Sequence, residues 1–228
     1  MEAARVDRGG GIDRRGVAAV TQHRNLTAFC IGMLLAVAAH LCHAQQVRIP
    51  TDSVRYRMQL ERAAGERWGL NAPTARIAAQ IQQESGWNPS ARSIYAQGLS
   101  QFTPSTAHWL PTICPQIGAP DPWDADWTIR AVVCYDGWLH DRAPGATPCD
   151  RWALTLSAYN GGEGARDREI ALAYHARDEP PVWFSQVARF KSRSDAAWRE
   201  NRDYVRRILL VLEPAYLAAD WPGSRVCP

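Results

Sequence analysis

Apolar side chains recur along this chain at intervals of three and four residues, and the strict alternation of a half-buried strand is nearly absent. Tyr56, Leu60 and the pair Ala63/Ala64 share one face of a helix that Asp52 or Ser53 can cap. It runs to about Trp68, where Gly69 ends it. Pro73 sits where a first helical turn accepts proline, and a second helix follows to about Ser85, stopped by Gly86. Thr103 and Pro104 start a third, closed by Pro111. A fourth spans Trp127 to His140, with Ile129, Val132, Val133 and Trp138 as its apolar stations. Asp150 or an adjacent residue opens a fifth, Trp152 to Tyr159, ended by Asn160, Gly161 and Gly162. A sixth runs from about Arg166 to Arg177. The last, about Ala196 to Leu212, carries Tyr204, Ile208 and Val211 and stops before Pro214. The pattern predicts a mainly α fold in one domain, without repeats.

The N-terminal region reads differently. Residues 26–42 form an apolar stretch without a formal charge, preceded by Arg24 and, further upstream, by Arg14 and Arg15. With a small residue at Ala44, this is the pattern of a secretory signal cleaved before Gln45. Residues 1–44 are therefore expected to be an extension and signal peptide, and 45–228 the folded domain. The alternative is an uncleaved anchor holding the protein to the inner membrane through residues 26–42. Export to the periplasm or beyond agrees with the cysteines. Cys30 and Cys42 lie in the presumed signal, leaving Cys114, Cys134, Cys149 and Cys227 to form two disulfides of undetermined pairing.

Composition narrows the function classes. With 228 residues, 46% hydrophobic and 21% charged, the chain is globular, and neither disordered nor a multi-span membrane protein. A net charge of +3 without Lys/Arg runs gives no nucleic-acid surface. His108, His140 and His175 are scattered, no CxxC occurs, and no metal or other cofactor is expected. Ten Trp are many for this length; most belong to packing, and several of the rest suit stacking on sugar rings.

The second helix carries the first chemical signal. Ile77, Ile81 and Glu84 fall at i, i+4 and i+7, so a carboxyl group ends an apolar stripe, with Arg76, Gln80, Gln82 and Gln83 as the polar surroundings. Desolvation there disfavours the charged form and raises the pKa toward that of a proton donor at neutral pH. Asp124, Asp136, Glu163 and Asp203 are other acidic residues near the motifs, read as caps or surface charges.

Glu84-Ser85 is followed by Asn88-Pro89, by the block Gly98-Leu99-Ser100-Gln101-Phe102-Thr103-Pro104-Ser105-Thr106-Ala107, and by Ala158-Tyr159-Asn160-Gly161-Gly162. Glu200 to Val205 forms a further block, and Asp121-Pro122-Trp123-Asp124 leads into a middle helix. In this order and spacing the blocks resemble the soluble lytic transglycosylase (SLT-domain) family of the lysozyme-like superfamily, over roughly residues 65 to 212. The resemblance implies a single lysozyme-like domain with a catalytic cleft, acting as a monomer on peptidoglycan glycan strands. It implies Glu84 as catalytic acid/base and Ser85 as a substrate contact or a support for the Glu. It makes Gln101 a sugar hydrogen-bonding residue in a loop that Gly98 lets approach closely, and lines the opposite wall with Tyr159 and Asn160. Tyr204 would hydrogen-bond Glu84 and help hold it protonated. The sequence departs from the family pattern at Ser100, at Tyr95-Ala96, and at Asn201 and Asp203.

The implied reaction cleaves the β-1,4 bond from N-acetylmuramic acid to N-acetylglucosamine and closes a 1,6-anhydro ring with one carboxyl group, in place of the usual glycosidase pair. The competing expectations are a goose-type hydrolase on the same scaffold and a wall-sugar-binding protein without activity.

Overall fold

The computed structural model describes residues 47–174 and 179–228; the expected signal segment, with Cys30, Cys42 and Ala44, lies outside the described residues. The described chain is mainly α, with its strand content limited to isolated bridges joining Arg92, Gln97 and Phe102. The helices are α1 (Asp52–Trp68), α2 (Thr74–Ser85), α3 (Pro104–Ile113), α4 (Ala125–Asp141), α5 (Pro148–Gly161), α6 (Glu163–Tyr174), α7 (Asp195–Arg207) and α8 (Glu213–Ala218). No helix among the described residues is long and apolar enough to cross a membrane.

Local chemistry sets most boundaries. Gly69 and Gly86 take positive φ (64° and 62°) at the ends of α1 and α2, where a side chain would be strained. Asp124 caps α4 by accepting from Trp127 N at 2.6 Å, as the cap reading of this residue anticipates. Thr147 and Asp150 form a capping box at the start of α5. The other oxygen of Asp150 accepts from Trp183 N at 2.8 Å, which ties the segment before α7 to the helix.

α5 is the central element: Trp152 to Ala158 is buried, and the helix packs against α4, α6 and α7. α1 packs on α2 and α4, and α2 also packs against α8. A core of Leu60, Ile77, Ile81, Leu99, Ile129, Leu154, Leu156 and Leu212 fills the interior. Among the tryptophans, Trp87, Trp127, Trp152, Trp183 and Trp221 are buried, whereas Trp109 and Trp123 are exposed.

Two disulfides close the fold, Cys114–Cys134 and Cys149–Cys227. The second ties the C-terminal tail to the start of α5 across 78 residues. A loop of that length confers on the order of 4 kcal/mol by restricting the unfolded chain.

Proline behaves differently from the expectation at two places. α3 runs two residues past Pro111, which sits in its last turn. The final helix does not stop before Pro214. It passes through a π turn over Ile208–Leu212, in which Glu213 N–H donates to Ile208 O, and continues as α8. The wider turn relieves the clash between a proline ring and the preceding carbonyls, so Pro214 is accommodated as at a helix start. The inserted residue also keeps Ile208, Leu209, Leu212, Glu213 and Tyr216 all buried.

Candidate active site

A cleft of about 630 Å³ opens beside the C-terminal end of α2. Its lining includes Glu84, Gln101, Tyr159, Asn160 and Tyr204, so five of the six residues singled out in the sequence meet in one cavity. Ser85 does not join them. Its hydroxyl turns back to Ile81 O at 3.4 Å, the i−4 carbonyl that a helical serine can share with the backbone.

Glu84 projects from the helix carrying the fully buried Ile77 and Ile81. Burial pushes its carboxyl up to about 8, with smaller upward contributions from Asp136 and Glu200. Tyr204 Oη donates to Glu84 Oε1 at 2.5 Å. The sign of this contact is opposite to the expectation: a donor to the carboxyl oxygen favours the ionised form and lowers the Glu84 pKa. Desolvation, and not Tyr204, holds the proton. The same contact raises Tyr204 well above the usual tyrosine value, as burial does for both Tyr204 and Tyr159.

The opposite wall is assembled from α5 and α7. Tyr159 Oη donates to Ser100 O at 2.9 Å, linking α5 to the Gly98–Gln101 turn. Asn160 Oδ1 accepts from Asn201 Nδ2 at 2.8 Å, and Asn201 is itself fixed by Ser157. That network leaves the Asn160 amide pointing toward Glu200 Oε1, 3.5 Å away. Asn201, which departs from the family pattern, thus orients a cleft residue from a fully buried position.

The turn that carries Gln101 is held by its own backbone. Gln97 and Phe102 exchange two hydrogen bonds, and Gln101 adopts a left-handed φ of 49°. Both Gln101 amide hydrogens are used, on Ala91 O (3.1 Å) and Gly98 O (2.8 Å), which leaves the side-chain oxygen to accept from a ligand. Gly98 is required by a close approach, but to the protein: a Cβ there would lie 1.8 Å from Pro122 O. This seats the turn against the lead-in to α4.

The polar surroundings of α2 also need correction. Arg76 and Gln80 are buried, at 3% and 0% exposure, so the helix is enclosed on its polar side as well. Arg76 pairs with the buried Glu213 at 2.6 Å. Gln80 Nε2 donates to Asp136 Oδ1 at 3.2 Å. Asp136 is therefore neither a cap nor a surface charge but a fully buried carboxyl of α4, bonded to Gln80, which lies one turn of α2 before Glu84. Burial pushes it up to about 8. The local pattern carries a signal for this that the cap-or-surface reading passed over: Asp136 stands at i+7 from Ile129 and i+4 from Val132, on the apolar stripe of its helix. Glu163 is half-buried and bridges Arg142 and Arg166, whereas Asp203 is exposed on the cleft wall with Glu200 and Arg207.

The raised Asp136 pKa carries a sign that can be measured. Between about pH 4 and pH 8 the unfolded chain has released this proton and the folded chain keeps it, so the folded state loses stability as pH rises. Asp136→Asn retains the shape and removes the titration. We expect its melting temperature to gain on that of the natural protein from pH 5 to pH 8; a constant difference between the two would show that Asp136 ionises normally.

The helical layers and the cleft between them define a lysozyme-like domain. The family profile described as Transglycosylase SLT domain matches residues 59–180, and the chain belongs to this family. It is 30% identical over 159 residues to a protein of Alkalilimnicola ehrlichii named membrane-bound lytic murein transglycosylase F 2, covering 69% of this chain and 33% of that one. It is 35% identical over 122 residues to a membrane-bound lytic murein transglycosylase F of Maricaulis maris, covering 51% of this chain and 24% of that one. The chain thus spans a third or less of the length of these relatives. A crystal structure of an inactive mutant of the lytic transglycosylase Slt from Pseudomonas aeruginosa shares the fold, with a TM-score of 0.54 and 23% identity over 80% of this chain and 26% of that one.

Proposed function

We propose that this protein is a peptidoglycan lytic transglycosylase that cleaves the bond from N-acetylmuramic acid C1 to N-acetylglucosamine O4 and releases 1,6-anhydro ends. The observation that carries the reading is the Glu84 carboxyl, desolvated to a pKa of about 8 at the wall of a cleft also lined by Gln101, Tyr159 and Asn160. The names of the relatives, lytic murein transglycosylases, point the same way.

In this reading protonated Glu84 gives its proton to the bridging oxygen as the C1–O4 bond breaks. The acetamido oxygen of the sugar stabilises the positive charge at C1. The Glu84 carboxylate then takes the proton of the C6 hydroxyl while O6 bonds to C1, which closes the anhydro ring without water. Burial and Tyr204 divide the work. Burial supplies the acid at the start, and the 2.5 Å hydrogen bond steadies the carboxylate between the two proton transfers. Asn160 and the Gln101 oxygen supply donors and an acceptor suited to acetamido and hydroxyl groups.

A hydrolytic reading has one observation in its favour. Glu200 and Asp203, at i and i+3 on α7, place carboxylates in the same cleft where one could activate water. Mass spectrometry of the fragments released from purified wall separates the two readings. Anhydro ends lack one water relative to hydrolysed ends, and we expect the anhydro series; a purely hydrated series would overturn the proposal. Residues 45–228 are proposed as the mature domain, acting as a monomer in the periplasm or outside the cell. Two disulfides suit that oxidising compartment.

A further inference from the structure

The aromatic lining of the cleft continues past its rim. Phe102, Tyr135 and Tyr159 line the cavity, with ring centroids 5.8 Å apart for Phe102–Tyr159 and 5.3 Å for Tyr135–Tyr159. Tyr135 then stacks on Trp138 at 6.2 Å and 25°. Trp109 meets both, edge to face, at 5.9 Å from Tyr135 and 5.3 Å from Trp138. The backbone gives the same continuity. Thr103 and Thr106 line the cleft from α3 and its cap, and Trp109 is the next station at i+3 on that face.

Trp109 is not a core residue. It is 38% exposed, while Ala107 and Leu110 supply the buried face of α3. The guanidinium of Arg142 lies over the half-buried Trp138, 4.3 Å from its ring centroid, so Trp109 is the more open ring of this pair. Two perpendicular neighbours hold it in place, and a flat ligand stacking on it would cost little side-chain entropy. Pyranose rings present faces of weakly positive C–H groups, which complement the negative face of an indole.

We propose that Trp109 forms an outlying sugar-stacking subsite, which takes a pyranose ring of the same glycan strand beyond the sugars flanking Glu84. The proposal rests on the reading of the cleft as a glycan site. It makes the protein favour long strands over short fragments, since only a strand that reaches from Glu84 past Thr106 engages Trp109.

The test compares Trp109→Ala and Trp109→Phe with the natural protein, on intact purified wall and on the shortest soluble wall fragments that the natural protein cleaves. A stacked aromatic contact corresponds to about a 3- to 10-fold change in binding. We expect Trp109→Ala to raise KM by that factor on long strands, to lose distinctly less on the short fragments, and to change kcat little. Trp109→Phe should recover part of the loss. Equal losses on both substrates would mark Trp109 as a structural residue and overturn the subsite, as would no loss on either. Sedimentation with insoluble wall, in the Glu84→Gln background, reads binding without turnover. Should the natural protein cleave nothing while Trp109→Ala still weakens sedimentation, the catalytic reading fails and the subsite stands. Unchanged sedimentation overturns the subsite.

Discussion

Glu84→Gln is expected to lower glycan-strand cleavage by at least about 10³-fold while leaving the fold intact. General acid–base catalysis by one placed group contributes about 10²- to 10⁴-fold. Glu84 is proposed to act in both proton transfers, so the loss belongs at the upper end. Gln keeps the size of the side chain and can still meet Tyr204, so folding should survive. Indeed, a carboxyl whose pKa is raised to about 8 destabilises the folded state as pH climbs from about 4 to 8, and the Gln variant is relieved of that cost. Its melting temperature at pH 8 should equal or exceed that of the natural protein. In the proposed reaction the starting form is the protonated acid, so the natural protein should hold its rate at neutral pH and lose it as pH rises through about 8. Clearing of suspended wall, followed across that range for both proteins, checks both statements. Retention of most of the activity by Glu84→Gln would remove this residue from the chemistry.

Arg76→Ala is expected to destabilise the fold by about 3–5 kcal/mol, the usual cost of stranding one partner of a buried ion pair. Arg76 and Glu213 are 3% and 1% exposed, and their contact at 2.6 Å joins α2 to α8. The same guanidinium donates to Ser224 O at 3.1 Å and covers the Trp152 ring at 4.4 Å, so one side chain ties α2, α5, α8 and the tail together. Burial drives each partner toward its neutral form, lowering Arg76 to about 10 and raising Glu213 to about 7. Arg76 holds the Glu213 pKa down, so without it Glu213 takes up a proton at a pH where the natural protein still has it ionised, and the cost of Arg76→Ala should shrink between pH 8 and pH 5. Replacing both partners, Arg76→Met with Glu213→Leu, should restore most of the stability, because no buried charge remains. Urea unfolding of the three variants at the two pH values measures these differences. A double variant as unstable as the single one would mean that the hydrogen bond to Ser224 and the cover over Trp152 outweigh the ion pair.

The repeat of apolar positions, the caps and the glycine stops gave the helices from Asp52 to Gly161 within a few residues, because these signals act over one or two turns. The partial burial of Glu84 was legible for the same reason: Ile77, Ile81 and Glu84 occupy one face of one helix. The blocks around Gln101, Tyr159 and Tyr204 placed the chain in its family, and the folded chain brings those side chains to one cavity. The errors have a common origin. Arg76, Gln80 and Asp136 are polar, and in the sequence polarity reads as exposure; only partners from other helices make their burial tolerable, and Asp136 lies 56 residues from Gln80. Pro214 read as a stop because the π turn that admits it is not encoded by any local pattern.

What the sequence determined by itself was the set of helices and the carboxyl at the end of an apolar stripe, which depend on neighbours within about eight residues, and the family, which rests on short blocks in a fixed order. Tertiary structure alone decided the disulfide pairing, the buried pair Arg76–Glu213, the pairing of Asp136 with Gln80 and the sign of the Tyr204 contact. These depend on distances and directions between segments remote in the chain. Desolvation and hydrogen bonding act through space, and no spacing along the chain specifies which remote groups meet or which atom donates.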